Sequence, residues 1–378
     1  MKGVFARRAT EMGENREIEL PQGRLRLRVL REDIPVDDAI GFAARRNPKR
    51  PFLFVSKRLG RHLPTRPKDL RETAEMLIRK LKAIPMEGPI LFFGMAETAT
   101  ALGQAVFYAW SQEGNAGLYI DTTRRKTAGT IAFGFQESHS HAVEHFVHLP
   151  AIHDDPSEIF KKAKTIVIVD DEATTAQTAQ RLLFQYEMFT GRNVRLLLAV
   201  IASWVEKPSQ TNGVEVISLI EGRAAFESKV ATEAEADLSH LPRQISVSAS
   251  PAPRGSRHGL CSPQTITVNE HYLGQKILVV GVGEFLYPPL LLAEALEARG
   301  SKTWLQATTR SPIQQGGAIQ HVREFAALTG EAYIEYLYNV PSDHPYDRVV
   351  ICPEGPLDIP GDHPLRDIPR LDLCFLKT

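Results

Sequence analysis

The sequence predicts an α/β protein of two domains, each built around a mostly parallel sheet. Three observations carry that reading. Between residues 89 and 220, short apolar runs of strand length alternate with stretches of helical spacing, the pattern of parallel strands joined by helices. One run, Thr165-Ile-Val-Ile-Val169, ends in Asp170-Asp171-Glu172 and a small hydroxyl-rich turn, as buried strands do when they deliver polar residues at their carboxyl ends. At 378 residues the chain has material for two cores, and a second strand–loop–helix unit opens at Lys276 after a change of composition.

In chain order, residues 1–35 are charged, and the alternating Arg24-Leu-Arg-Leu-Arg-Val-Leu30 reads as a solvated edge strand or tail. Phe52–Val55 reads as a strand running into Ser56, Lys57, Arg58, Arg61 and His62, with turns at Gly60 and Pro64. Residues 68–83 carry Leu70, Ala74, Leu77, Ile78 and Leu81 on one helical face. A strand over 89–94 then meets the small-residue loop Met95-Ala-Glu-Thr-Ala-Thr100 and an apolar helix to about Ser111, which offers N–H groups to an anion. The next strand, Leu118–Asp121, ends in Thr122-Thr-Arg-Arg-Lys126, and three cations at a strand's carboxyl end suit a ligand with several negative charges. After the strand at 165 come a helix over 178–190, a buried strand over 194–202, and a short strand over 214–220 with a small helix behind it. Residues 230–270, rich in serine, proline and small residues, read as a linker, with Arg254, Arg257 and His258 as solvated charge or, as the alternative, reaching back to a site.

Composition excludes some classes of function. Lysine plus arginine and aspartate plus glutamate both number 45, so no global field draws in nucleic acid or an anionic membrane. Three distant cysteines without metal-ligand spacing suit a reduced, cytoplasmic chain without structural zinc. No stretch approaches membrane-spanning length, and the first twenty residues are too charged for a signal peptide. His141-Ala-Val-Glu-His145 fits a zinc-protease pattern if it is helical, but that reading leaves the acids and the cations without a role.

The turn after Asp170 and Asp171 is a seat for a phosphate at a helix N-terminus. The two acids suit vicinal hydroxyls, directly or through Mg2+. Phosphate beside a diol describes a ribose 5-phosphate. An apolar strand, two acids and a hydroxyl turn resemble the phosphoribosyltransferase signature. By that resemblance Asp170 and Asp171 hold the ribose hydroxyls of phosphoribosyl pyrophosphate and its metal, and Thr174, Thr175, Ala176, Gln177 and Thr178 cradle the 5-phosphate. Ala176 stands where the family has glycine, which tolerates φ > 0 and a close phosphate. The resemblance further assigns Gly94, Glu97, Thr98, Arg124 and Arg125 to pyrophosphate. It assigns Lys57 and His62 to an N-terminal hood over the acceptor, and Glu137, His139 and His141 to a mobile catalytic loop that orients the acceptor or moves a proton.

The second domain echoes the first. Ile277-Leu-Val-Val-Gly-x-x-Glu284 parallels Ile90-Leu-Phe-Phe-Gly-x-x-Glu97, and Thr-Thr-Arg recurs at Arg124 and Arg310, all at a nearly constant offset. Val349–Glu354 stands where Val167–Glu172 stands, without the aspartates or the hydroxyl turn. The domain therefore reads as a degenerate repeat that keeps an anion loop (Glu284, Arg310, Ser311) and no ribose site; shared strand order is its test. Thr309-Arg-Ser-Pro312, Tyr336-Leu-Tyr-Asn-Val340 and Tyr346-Asp-Arg348 resemble the TRSP domain that follows an orotate-type phosphoribosyltransferase in bacterial tellurium-resistance and stress gene clusters. Asn47-Pro-Lys-Arg50, Phe54-Val-Ser-Lys57, Glu137-Ser-His-Ser-His-Ala142 and Asp170-Asp-Glu172 resemble its transferase half.

The resemblance implies a type I phosphoribosyltransferase-like sheet with an N-terminal hood over 36–235. The N-terminal segment 1–35 precedes it, and a linker (236–270) and the TRSP domain (271–378) follow. The implied activity is Mg2+-dependent transfer of ribose 5-phosphate from phosphoribosyl pyrophosphate to a small base-like acceptor, making a nucleoside-like metabolite, with a homodimer as the assembly. A nucleotide-sensing regulator and an RNA-binding surface at 45–66 and 122–126 are the competing readings.

Overall fold

In the computed structural model the described residues are 14–47, 50–137, 144–151, 155–206, 211, 213–229, 255–262, 264, 266 and 272–376. His139, His141, Lys49 and most of the linker lie outside them.

The chain opens with a hairpin, β1 (Glu14–Leu20) and β2 (Gly23–Glu32), and a single helical turn, α1 (Val36–Ala39). A second hairpin follows, β3 (Ile40–Ala44) and β4 (Phe52–Ser56), then α2 (Pro67–Lys82), β5 (Ile90–Gly94), α3 (Thr100–Ser111) and β6 (Leu118–Asp121). The antiparallel pair β7 (Ile131–Gln136) and β8 (Glu144–His148) leads to α4 (Asp155–Lys162), β9 (Thr165–Ala173), α5 (Gln177–Thr190), β10 (Arg195–Ser203) and β11 (Glu215–Ser228).

Seven strands form the first sheet in the order β1-β2-β11-β10-β9-β5-β6. The run from β6 to the first half of β11 is parallel, and β2 and β1 add antiparallel strands beyond it. The order reverses direction between β5 and β9, so the carboxyl ends at Gly94 and Asp170 flank a topological switch point, where such sheets open a crevice. The apolar face foreseen for α2 is the face it buries: Leu70, Ala74, Leu77, Ile78 and Leu81.

Two expectations change here. The alternating Arg24–Leu30 segment is no solvated edge. β2 lies between β1 and β11 and buries Leu25, Leu27 and Val29. The small helix expected after Ile220 is absent, because β11 continues to Ser228. It bulges at Glu221/Gly222 and leaves β10 to pair with β2. A Cβ at Gly222 would meet the Trp204 ring at 2.7 Å and the Arg28 carbonyl at 2.8 Å, so the bend is open to glycine alone.

The hood is the β3–β4 hairpin. Phe54 stacks on Trp204 at 4.7 Å and Phe52 on Phe226 at 5.2 Å, which fixes it over the carboxyl edge of the sheet.

The second half contains β12 (Lys276–Gly281), α6 (Tyr287–Glu297), β13 (Lys302–Ala307), β14 (Val322–Ala326), β15 (Ile334–Tyr338), β16 (Arg348–Cys352) and β17 (Leu371–Leu373). Its parallel sheet runs β13-β12-β16-β17, the order of β6-β5-β9-β10, and the hairpin β14–β15 interrupts it where β7–β8 interrupts the first. The repeat extends to single hydrogen bonds. Thr122 N–H donates to the Gly94 carbonyl at 3.0 Å, and Thr308 N–H to that of Gly281 at 3.0 Å. The Thr122 hydroxyl accepts from Ala96 N–H at 2.9 Å, as that of Thr308 does from Gly283 N–H at 2.8 Å. Register corrects one alignment. Gly94 pairs with Val169 and Gly281 with Cys352, so Glu354, not Pro353, occupies the place of Asp171.

The halves meet carboxyl edge to carboxyl edge. Each lends a glutamate to the other: Glu284 accepts from Arg124 N–H at 2.7 Å, and Glu97 from Arg310 N–H at 3.3 Å. The fully buried Arg61 ties both loops together, donating to the carbonyls of Glu97 (2.5 Å), Gly283 (2.5 Å) and Thr308 (3.1 Å). Among the described residues no helix is long and apolar enough to cross a membrane.

Candidate active site

The crevice at the first switch point is a polar cavity of about 120 Å3. One wall is the loop Ala96–Thr98, the other the stretch from Asp170 to Ala179, and Arg124, Glu137 and His145 close the end. Because β9 delivers its residues at its carboxyl end, Asp170 and Asp171 emerge half-buried beside each other. Asp170 accepts from Asp171 N–H at 2.9 Å, and Asp171 from Glu172 N–H at 3.0 Å. Burial and the neighbouring carboxylate of Asp171 push Asp170 far above the usual range. Burial and Glu172 push Asp171 to about 7. A cation bound beside these two acids would lower both. Among the described residues no group of three or more ligating side chains forms a metal cage. Two carboxylates with open space before them suit Mg2+, which keeps waters and ligand phosphates in its shell.

The turn behind the acids is built for an anion. Ala176 adopts φ 56°, ψ 10° as the residue before α5, the left-handed conformation that glycine takes more cheaply. α5 starts without a side-chain cap, and Thr174, Thr175 and Thr178 surround its first turn at the cavity wall.

At the far end Arg124 pairs with Glu137 at 2.5 Å, and His145 Nε2 lies 3.2 Å from the same carboxylate. The Thr122 hydroxyl accepts from Ala96 N–H, so its proton is free for His145 Nδ1 at 3.2 Å, and Nε2–H then faces Glu137. Burial would raise the Glu137 carboxyl, but Arg124 and His145 outweigh it and hold it well below the usual range. Burial and Arg124 bring His145 down to about 4. Glu137 is thus suited to hold Arg124 in place, and a poor proton acceptor at neutral pH.

Of the residues foreseen, Glu97, Thr98, Arg124, Glu137, Asp170, Asp171 and Thr174–Thr178 line this cavity, and His62 lines a neighbouring one at 4% exposure. His62 is neutral there, brought to about 3 by burial and by Arg61. Gly94 lies behind the wall. A Cβ on it would meet the Tyr119 hydroxyl at 1.9 Å, so packing explains that glycine.

Lys57 is turned away: it is exposed and donates to the Asp37 carbonyl at 2.6 Å. Arg125 belongs to the second half, pairing with Glu331 at 3.1 Å and Glu354 at 3.8 Å. The zinc-protease pattern fails, because Glu144 and His145 are consecutive residues of the strand β8 and face opposite ways. Within the basic segments, Arg50, Arg61, Arg124 and Arg125 are turned inward and paired.

Sequence reasoning missed His145 as a lining residue, and Arg257 as a buried one. Arg257 and His258 are 7% and 6% exposed, and Arg257 bridges Glu284 (3.1 Å) and Glu354. These pairs, with Arg125, line the second switch point, a cavity of about 370 Å3 that has neither a hydroxyl turn nor a helix behind it.

The chain matches a phosphoribosyl transferase family over residues 39–233, and the TRSP domain that follows that transferase over 255–367. No protein of curated function matches its sequence. Among solved structures it is similar to the adenine phosphoribosyltransferase of Thermoanaerobacter pseudethanolicus, at 15% identity and a TM-score of 0.27, over 41% of this chain and 81% of that one. It is also similar to that of Trypanosoma brucei, solved with AMP, pyrophosphate and ribose-5-phosphate, at 12% identity and a TM-score of 0.30, over 41% and 65%. The transferase match spans just over half of the chain, and the chain belongs to this phosphoribosyl transferase family, with the TRSP domain at its C-terminal side.

Proposed function

We propose that the protein transfers ribose 5-phosphate from phosphoribosyl pyrophosphate, with Mg2+, to a small ring acceptor. The observation that carries this is the coincidence, at one switch point, of a carboxylate pair and an uncapped, hydroxyl-rich helix start. The 5-phosphate sits on the first turn of α5 and the ribose hydroxyls on Asp170 and Asp171. Pyrophosphate lies along Ala96–Thr98, with Arg124 held toward it by Glu137. Mg2+, held by the same two aspartates, would neutralise charge on the leaving group. The residues act by positioning and by meeting charge as the C1–oxygen bond breaks. The product is a nucleoside-like metabolite, in a cytoplasmic stress or tellurium-resistance setting; the pairing of the transferase with a TRSP domain supports that context. A homodimer remains the proposed assembly.

The test is Asp170→Asn with Asp171→Asn, read by calorimetry with phosphoribosyl pyrophosphate and Mg2+. Loss of binding is expected, and unchanged affinity defeats the assignment. Pyrophosphate release with an acceptor separates an enzyme from a sensor that only binds.

A further inference from the structure

The three cysteines are distant in sequence, and the fold brings two of them together. Cys352 is the last residue of β16 and fully buried, and Cys374 directly follows β17 and is half-buried. The two strands pair in parallel as far as Ile351 and Leu373, and Cys374 N–H then donates to the Ile351 carbonyl at 2.9 Å. That bond carries the register one step further and sets Cys374 beside Cys352. Residues level with each other on neighbouring strands point to the same face of a sheet. Both cysteines accordingly pack with Ile277, Val350 and Leu292, on the face that α6 covers. Cys261, the third, is exposed and lies elsewhere, next to the bridge between Leu260 and Tyr119.

The two thiols are within hydrogen-bonding reach of each other. Neighbouring strands lie about 4.8 Å apart, inside the roughly 4.4–6.8 Å between α-carbons that a disulfide spans. The surroundings of the two sulfurs differ. Burial pushes the Cys352 thiol well up, so it keeps its proton. The hydrogen bond with Cys352 brings the Cys374 thiol down, and this side chain reaches solvent. An accessible sulfur of thiolate character, with a protonated thiol behind it, is the arrangement in which one cysteine meets an oxidant and the other completes the bond.

We infer that Cys374 and Cys352 form a reversible thiol–disulfide site, with Cys374 as the thiol that meets the oxidant and Cys352 as the one that closes the bond. The oxidant is a small hydroperoxide. The Cys374 sulfur attacks its terminal oxygen, so a sulfur–oxygen bond forms and the oxygen–oxygen bond breaks, and the remainder leaves as an alcohol, or as water from hydrogen peroxide. The Cys352 sulfur then attacks that of Cys374, the sulfur–oxygen bond breaks, and hydroxide leaves as water with the Cys352 proton. Two thiols lose two electrons and two protons, and the hydroperoxide takes up both. The bond closes a loop over residues 353–373 and staples β17, the edge strand of the second sheet, to β16. Glu354, which holds Arg125 and Arg257, stands two residues beyond Cys352, so the staple fixes the strand end that carries this ion-pair cluster.

The experiment treats the reduced full chain with hydrogen peroxide under native conditions, alkylates the remaining thiols and maps tryptic peptides by mass spectrometry. Arg366 and Arg370 lie between the two cysteines, so their peptides separate unless a disulfide joins them. A joined Cys352–Cys374 pair, released by dithiothreitol, is expected, and Cys261→Ser should leave it unchanged. In Cys352→Ser, Cys374 should stop at the sulfenic acid and be trapped by dimedone, whereas in Cys374→Ser, Cys352 should gain no such label. In the oxidised parent, amide exchange over residues 371–376 should slow by about tenfold or more. A parent that stays unjoined while Cys261 is oxidised overturns the inference, as does joining that occurs only in urea. Unchanged exchange refutes the staple, and dimedone labelling of Cys352 but not of Cys374 refutes the assigned order.

Discussion

Glu284→Gln tests whether the second half positions the transferase site. The Glu284 carboxylate accepts from Arg124 N–H at 2.7 Å and the Thr123 hydroxyl at 2.7 Å, and it pairs with Arg257 at 3.1 Å, all with almost no solvent access. Burial alone would raise this carboxyl, but Arg257 and Arg310 bring it from an ordinary 4.5 to about 2. A shift of that size corresponds to about 3 kcal/mol of folding stability. Breaking one side of a buried ion pair costs a similar 3–5 kcal/mol or so, although Arg257 keeps Glu354 as a second partner. The contribution is present above the unfolded value and fades as pH falls from about 4.5 toward about 2. The variant should therefore lose about 2–3 kcal/mol at pH 7 in urea unfolding, and the difference from the parent should shrink in acid. Because the amide would set an N–H against those of Arg124 or Arg257, the Arg124 loop should shift as well, with donor affinity falling at least tenfold. Stability within about 0.5 kcal/mol of the parent together with unchanged donor affinity would refute the claim that the halves share this site.

Ala176→Gly should relieve the left-handed strain, a gain of about 0.5–1 kcal/mol after the entropy of glycine is charged against it. Thermal unfolding should move upward and donor affinity should rise; a lower midpoint contradicts the strained turn. Arg124→Ala should weaken donor binding strongly, whereas Arg125→Ala, which loses its bonds to Glu331 and Glu354, should leave it unchanged. Equal losses in calorimetry would mean that both arginines face the donor. Burial and Glu172 raise Asp171 to about 7, so the free protein binds a proton there at pH 6 that a metal-bound donor must displace. Affinity should climb with pH through about 7, with proton release visible in buffers of different ionisation heat; a flat profile from pH 5.5 to 8 rejects this.

Much of the first half is legible in its sequence because a parallel strand buried on both faces is a nearly continuous apolar run with an abrupt polar end. That is why β5, β6 and β9 fall within a residue of their expected starts, and why Asp170 and Asp171 stand out. What could not be read depends on distant partners. Residues 221–228 have the composition of a helix, and only pairing with β2, nearly two hundred positions earlier, holds them extended. Arg257 looks like linker charge because Glu284 and Glu354 are remote in sequence. Arg125 directly follows Arg124, yet its partners Glu331 and Glu354 lie in the second half, some two hundred positions away.

The repeat shows which parts of the second half the first site leans on. Across the interface Glu284 braces Arg124 while Glu97 braces Arg310, so each Thr-Thr-Arg turn depends on the opposite half's glutamate. A change that removed the ribose acids from the second sheet would leave the first site intact. Glu354 now stands at the place of Asp171 and is used up by Arg257 and Arg125 as an internal ion pair. A change that removed Glu284 or the Thr309–Ser311 turn would instead damage the first site directly, by freeing Arg124 or opening the wall beside Asp171. The second half is therefore constrained at its loops and free in its crevice, and its contribution is best sought in how firmly the hood and Arg124 are held.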